Sequence, residues 1–302
     1  MKRNALLPIG FLCVFTLPAF SQYYFYNDRY YESDILLEAT AGLGGMNAFT
    51  DLGGHRGDGR GFIKDLNLKN TKPVMAISLT ATYRYAIALK AGLTAGSIMA
   101  YDSILKNVSS TTKRYARNLS FRSPVIELAA LIEIHPLFIV NNENASPKLS
   151  PYLLGGIGFF SFNPQARLNN EWVNLHPLRL EGQGFMEYPE RKQYALQQLC
   201  IPFGAGLRYS ISSVVNARLE IIHRKLKTDY LDDVSTRYID PASFSEYLSP
   251  QQVIIAEKLY DRRGELDPAH IPRPDERGDP TDNDAYFTVI LKFGFVFRKR
   301  VR

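Results

Sequence analysis

Asp229, Asp232 and Asp233 place three carboxylates within five positions, a density that could serve a calcium ion, because hard cations gather several carboxylate oxygens. Their spacing lacks the alternating ligands and central glycine of the known calcium-loop motif. The plainer expectation is a solvated turn at a strand end, with the aspartates paired to Arg237 or Arg224. His223 could be the base of a lipid-modifying site on a barrel wall. Such a site also needs a nucleophile within hydrogen-bond reach and an orienting acid, and no Gly-x-Ser-x-Gly elbow occurs. A histidine in the girdle at a membrane boundary is the competing expectation. His55, His135, His176 and His270 are scattered without metal-ligand spacing. No catalytic set, cofactor or metal site is therefore expected.

A second set of ionisable residues recurs at alternate positions of strand-like segments. Glu127 and Glu133 oppose Ile126, Leu128, Ala130, Ile132 and Ile134, while Asn216, Arg218, Glu220 and Arg224 oppose Val215, Ala217, Leu219 and Ile221. Period two places such sets on opposite faces of a strand. A soluble sheet would turn its apolar face onto a core. Here segment after segment repeats that face with small or charged residues behind it, the pattern of a barrel in lipid. An eight-stranded barrel is narrow enough for side chains to fill, and buried charges are costly unless paired. Glu38, Lys90, Glu127, Glu133, Arg208, Arg218, Glu220 and Arg224 are accordingly expected to form an ion-pair network in the lumen, a plug rather than a wide pore.

The elements that must position these charges are eight alternating segments near 34–43, 73–84, 87–97, 120–134, 151–162, 197–210, 214–225 and 285–297. In the last, Phe287, Val289, Leu291, Phe293, Phe295 and Phe297 share one parity. The fold class is all-β: an eight-stranded antiparallel transmembrane β-barrel with long extracellular loops, one carrying a short helix. Tight links near Tyr85-Ala86 and at 210–213 alternate with long connections at 44–72, 98–119, 163–196 and 226–284. Outer-membrane barrels have short periplasmic turns, long external loops and periplasmic termini, which orients the chain. The helix is marked by Ser249 at the N-cap, Pro250, Gln252 completing a capping box, and Gly264 past its end. Residues 265–284, rich in Pro, Asp and Arg, read as a mobile stretch. The turn at 135–150 is unusually long and apolar, so Leu137, Phe138, Ile139 and Val140 form a candidate docking surface.

Lys2 and Arg3 precede an apolar run from Ala5 to Leu17 and then Ala19-Phe20-Ser21, the form of a secretory leader cleaved after Ser21. The domain reading is a signal peptide over 1–21, a periplasmic N-terminal segment over 22–33, the barrel over 34–297 and a basic periplasmic tail over 298–302. Removing the leader leaves about 280 of the 302 residues and a single thiol, Cys200. That thiol either is a small buried strand residue or bonds to a partner chain. Tyr23 to Tyr26 with Tyr30 and Tyr31 read as interface anchors, a periplasmic contact or a sugar-stacking surface. A net charge of +6 without a basic, aromatic-interleaved stripe argues against nucleic acid.

Several stretches resemble the PorG-like outer-membrane β-barrel family of the type IX secretion and gliding machinery. The most specific is Thr228-Asp229-Tyr230-Leu231-Asp232-Asp233-Val234-Ser235-Thr236-Arg237-Tyr238, preceded by Glu220 and Arg224. Further matches are Arg117 to Phe121 with Glu127, Pro151-Tyr152 with Gly155 to Gly158, Phe162-Asn163-Pro164, Leu180 to Gly184, and Ile201 to Gly204. The sequence departs from the family pattern at 239–284 and in the tail after Phe297. The resemblance implies a non-enzymatic outer-membrane component that anchors or couples the periplasmic ring of that machine, with ring subunits including a lipoprotein as partners and outer-membrane lipid around the barrel. Cys200 joins the 137–140 turn as a possible partner contact. A lipid-modifying barrel enzyme, or a small pore or adhesin, is the alternative.

Overall fold

The computed structural model describes residues 35–53, 67–108, 111–140 and 147–297. The expectations for 1–34, the Asn-rich stretch at 141–146 and the tail at 298–302 lie outside these residues. The strands are β1 (Ile35–Phe49), β2 (Lys72–Tyr83), β3 (Ile87–Tyr101), β4 (Ser120–Ile134), β5 (Leu149–Phe162), β6 (Gln165–Leu168), β7 (Glu171–Asn174), β8 (Gln197–Ser210), β9 (Val215–Lys225) and β10 (Ala285–Phe297). The helices are α1 (Thr112–Arg117), α2 (Pro136–Val140), α3 (Phe244–Tyr247) and α4 (Pro250–Tyr260). Among the described residues no helix is long and apolar enough to cross a membrane.

Eight long strands run in the order β3-β2-β1-β10-β9-β8-β5-β4, and pairing of β3 with β4 closes the sheet. Every one of these pairs is antiparallel. Following cross-strand partners once around from Leu37 passes Ala81, Leu89, Ile132, Gly155, Phe203, His223 and Phe287 and returns to Asn47, a stagger of 47 − 37 = 10 residues. At ~3.3 Å per residue and ~4.8 Å between strands this tilts the strands by about 40°. Strands of 11–15 residues meet or exceed the ~9–11 that a tilted transmembrane strand needs.

The two parities face different media. Outward residues such as Leu43 (70% exposed), Ile157 (66%) and Leu79 (65%) stand clear of any protein core, whereas Lys90, Glu133 and Arg218 on the other face are at most 1% exposed. Small inward residues make the narrow interior possible. A Cβ on Gly294 would come within 2.4 Å of Glu38 Oε1, and one on Gly206 within 2.2 Å of the Tyr152 ring. These two glycines leave the space that those side chains occupy.

β1 and β3 extend well beyond positions 43 and 97, to Phe49 and Tyr101. Alternation fades at Gly44-Gly45 and Gly96-Ser97, but ladder hydrogen bonds do not depend on it. The 163–196 connection holds a hairpin that alternation is too short to signal: β6 and β7 meet through Asn169 and Asn170, both at positive φ (48° and 72°), the backbone of a tight two-residue turn. Over the loop end, Leu178, Leu180, Phe185, Tyr238, Phe244 and Leu259 form a second apolar core outside the barrel. Ser249 and Gln252 make the capping box of α4, but the helix ends at Tyr260, short of Gly264. Asp261 there turns extended and accepts from the Arg263 guanidinium at 2.8 Å. The 265–284 stretch is mostly exposed, but Arg277 within it is 2% exposed and held by Glu181.

Candidate functional site

The lumen is filled from the strand walls. Near the turn end, Arg218 on β9 donates from Nη1 to Glu133 Oε2 on β4 at 2.9 Å and from Nη2 to Glu38 Oε2 on β1 at 2.8 Å. Its Nε lies 2.8 Å from Glu38 Oε1, and Arg208 approaches the same carboxylate at 3.8 Å. Lys90 pairs with Glu133 at 3.0 Å and with Glu220. Lys292 on β10 reaches Glu220 at 2.6 Å, and the Tyr152 hydroxyl donates to Glu220 at 2.7 Å. Toward the loop end, Arg224 grips Glu127 at 2.9 and 3.2 Å, and Tyr286 donates to the same carboxylate.

All eight charges assigned to the lumen by parity thus stand inside it, and Lys292, Tyr152 and Tyr286 join them. Parity also placed Lys292 inward; its part in the network is a matter of cross-strand register. Five cations, Lys90, Arg208, Arg218, Arg224 and Lys292, face four carboxylates, Glu38, Glu127, Glu133 and Glu220, for a formal balance of 5 − 4 = +1. Cys200 is 2% exposed and points inward, its Sγ 3.8 Å from Glu127 Oε2. It is therefore not a partner contact in the folded chain, because the barrel wall separates it from any second protein.

The Thr228–Tyr238 segment is the keystone of the loop end. Leu231 and Val234, 0% and 1% exposed, drop into the barrel mouth among Phe160, Phe162, Tyr286 and Ile290. Asp232 accepts the backbone N–H groups of Leu52 at 3.2 Å and Val234 at 3.0 Å, and Asp284 accepts that of Leu231 at 2.8 Å. Asp233 adopts φ +65° and accepts from the Tyr194 hydroxyl at 2.7 Å, and the Tyr194 ring stacks on Tyr230 at 5.0 Å. Thr228 lends its carbonyl to the Asp284 N–H at 3.0 Å. The expectation of a solvated turn paired to Arg237 or Arg224 is corrected: Asp232 and Asp233 are fully buried, Arg224 belongs to Glu127 inside the barrel, and Arg237 is exposed. Loops remote in sequence bury these aspartates, so local composition misreads them.

Two arginines bind the loops together. Arg117 donates to Asp102 at 2.8 and 3.0 Å and to the carbonyls of Asp51 and Arg277. Arg277 donates to Glu181 at 2.9 Å and to the carbonyl of Asp233. Glu181 also accepts from the Ser235 and Thr236 backbones at 3.0 and 2.8 Å. Burial pushes the Asp233 carboxyl up to about 7 and Asp51 to about 6, while Asp229 reaches about 9 through burial and the nearby Asp51, Asp232 and Glu181 charges. Burial and neighbouring carboxylates likewise drive Asp232 and Asp284 well above the carboxylate range. Among the described residues no three His, Cys, Asp or Glu side chains are arranged to hold a metal ion.

His223 faces outward on β9, its ring 5.0 Å from Phe203 and 5.9 Å from Phe49. It thus sits in an aromatic row at the loop-side edge of the apolar belt. At the turn end, Phe138 of α2 stacks on Tyr85 at 5.6 Å, Leu137 is half-buried and Ile139 is 50% exposed; the backbone of Val140 ends the helix.

A closed antiparallel sheet, apolar toward its surroundings on every strand and charged but paired within, defines a transmembrane β-barrel of the outer-membrane kind. No family model matches the chain, and no curated protein does. Solved structures similar to it in fold are outer-membrane barrels. Ail, the attachment invasion locus protein of Yersinia pestis, is 7% identical over 88% of this chain and 100% of its own, with a TM-score of 0.39. Neisserial surface protein A is 9% identical over 88% and 98%, with a TM-score of 0.38. OprG from Pseudomonas aeruginosa is 7% identical over 89% and 98%, with a TM-score of 0.37.

Proposed function

We propose that this chain is a non-enzymatic outer-membrane component of a type IX secretion machine, anchoring or coupling its periplasmic ring to the membrane, with the turn end in the periplasm. The observation that carries this reading is α2, a helix of five residues, Pro-Leu-Phe-Ile-Val, set at the turn end with Ile139 exposed. A short turn has no need of such a surface, and apolar side chains left open at a barrel rim suit a protein contact. The filled lumen supports the same division of labour: with Arg218, Arg224, Tyr152, Tyr286 and Lys90 fully buried there, function falls to the ends of the barrel. The family-like Thr228–Tyr238 segment supports the assignment to the secretion machine, and its role is to lock the opposite end.

The test is site-specific photo-cross-linking in cells, with a benzophenone amino acid at Ile139 and, as control, at Met186 in the cap, which is 83% exposed. The expected result is an adduct at position 139 with a periplasmic ring subunit, and none with that subunit at 186. Recovery of monomer alone at position 139, or ring adducts only from position 186, would sink the proposal.

A further inference from the structure

Where the pairing of β4 with β5 ends at Phe162, β4 extends past it toward the loop end and meets the β6–β7 hairpin through Arg122 and Gln165. Residues directly opposite one another point to the same side of a sheet, as do alternate residues of one strand. Arg122, Gln165 and Arg167 therefore share a face with Asn174 and Trp172, the partners of the last two. That face is the outward one, because Arg122 keeps the parity of Pro124, Ile126 (57% exposed) and Leu128 (61%) on the lipid side of β4. The other face of the hairpin, with Ala166, Leu168 and Val173, packs on the cap core. Arg122 stands two positions beyond Pro124, a rise of about 5 Å at ~3.3 Å per residue and a tilt of about 40°. That is the depth of the head-group layer bordering the hydrocarbon.

Two guanidinium groups and an indole share this outward surface. Arg122 lies 4.0 Å over the Trp172 ring and donates from Nη2 to Gln165 Oε1 at 2.8 Å. Arg167, which is exposed, donates from Nη2 to Asn170 Oδ1 at 2.5 Å. Both guanidinium charges act on the Tyr101 hydroxyl at the end of β3, which brings that ring to the same place. All these partners are neutral, and among the described residues neither arginine has a carboxylate within ion-pair distance. Arg262, whose Nη1 donates to the Arg167 carbonyl at 3.5 Å, is by contrast held by Glu265 at 2.8 Å. Two like charges on one face, each lacking a counter-anion, call for an oxyanion, and the guanidinium fork matches the spacing of phosphate oxygens. Trp and Tyr, apolar in body and polar at one edge, suit the boundary of a bilayer.

We propose that this face binds the phosphate of an anionic lipid from the leaflet at the loop end, with Arg122 and Arg167 on the phosphate oxygens, Trp172 and Tyr101 against the head group, and the acyl chain along Ile126 and Leu128. The surface continues the lipid-facing belt, so an occupant carrying both an anion and an acyl chain satisfies both parts. A free anion uses the arginines alone, and a choline head sets its own cation against them. The site lies at the opposite end of the barrel from the anchoring surface and does not depend on that reading.

Trp172 is the single tryptophan, so its fluorescence reports this site alone. The test titrates the full chain in an uncharged maltoside detergent with lysophosphatidic acid, lysophosphatidylcholine or inorganic phosphate, following Trp172 emission and counting bound lipid by native mass spectrometry. The expected result is a saturable shift at one equivalent of lysophosphatidic acid, bound at least about tenfold more tightly than either of the others. Arg122→Gln with Arg167→Gln should cost that lipid at least about tenfold in affinity and leave the choline lipid unchanged. Arg167→Gln alone, which keeps the Arg122–Trp172 contact, should cost it about threefold. Retarded migration of unheated samples on denaturing gels verifies that each variant is folded. Equal binding of the two lipids, inorganic phosphate bound as tightly as lysophosphatidic acid, or undiminished affinity in the double variant would each overturn the proposal.

Discussion

Replacing Arg218 by Met separates two explanations of how the lumen tolerates its charges. If overall balance governed, the variant would gain, because the formal sum falls from +1 to zero. If individual pairs govern, it must lose. Arg218 is 0% exposed and its guanidinium holds Glu38 through two contacts of 2.8 Å and Glu133 at 2.9 Å. After substitution Glu133 keeps Lys90 at 3.0 Å, but Glu38 keeps only Arg208 at 3.8 Å. Glu38 is 3% exposed and cannot recover hydration. Removing one partner of a buried ion pair costs about 3–5 kcal/mol, whereas removing both is nearly neutral. Arg218→Met should therefore lower the unfolding free energy by about 3–5 kcal/mol, and adding Glu38→Gln should restore much of it. Urea titration of the barrel in micelles, read by the gel mobility of unheated samples, measures both. A loss under about 1 kcal/mol, or a double variant less stable than the single one, would refute pair-by-pair stabilisation.

Arg277→Met leaves Glu181, which is 0% exposed, without its 2.9 Å partner. The cap should then loosen by about 3–5 kcal/mol while the barrel stays folded. Trp172, the single tryptophan, lies in the cap hairpin with the Arg122 guanidinium 4.0 Å from its ring, so its fluorescence should change although gel mobility does not. The cap should also respond to pH. Burial raises Asp233 from 3.8 to about 7, so the folded cap retains a proton that the unfolded loop releases. The contribution is whole below about 4 and declines as pH rises toward 7. Protease resistance of the 226–284 loop should be greater at pH 5 than at pH 8, and Asp233→Asn should reduce the difference, the remainder belonging to Asp51 and Asp229, which burial raises in the same direction. Cys200, buried against Glu127, should resist a maleimide in the folded barrel and react after urea denaturation. Rapid labelling of the folded protein would count against its inward position.

Much of the barrel was legible because parity is a local property. Once Phe293 and Leu291 face lipid, Lys292 between them must face inward, whatever the rest of the chain does. The capping box at Ser249 was readable for the same reason, since both partners lie within one turn. The extent of β1 was not, because Gly44 and Gly45 carry no alternation and are held by β10 and β2.

What the sequence by itself determined is the division of side chains between lipid and lumen, and with it the presence of buried charge that has to be paired. Tertiary structure alone decided which charge meets which: Arg218 finds Glu38 and Glu133 across separations of 180 and 85 positions, through a stagger summed over eight registers. It also decided the environment of Asp232 and Asp233. Their burial depends on loops far away in the chain closing over the mouth, and a carboxylate's cost and role follow from the water it loses, which no short segment encodes.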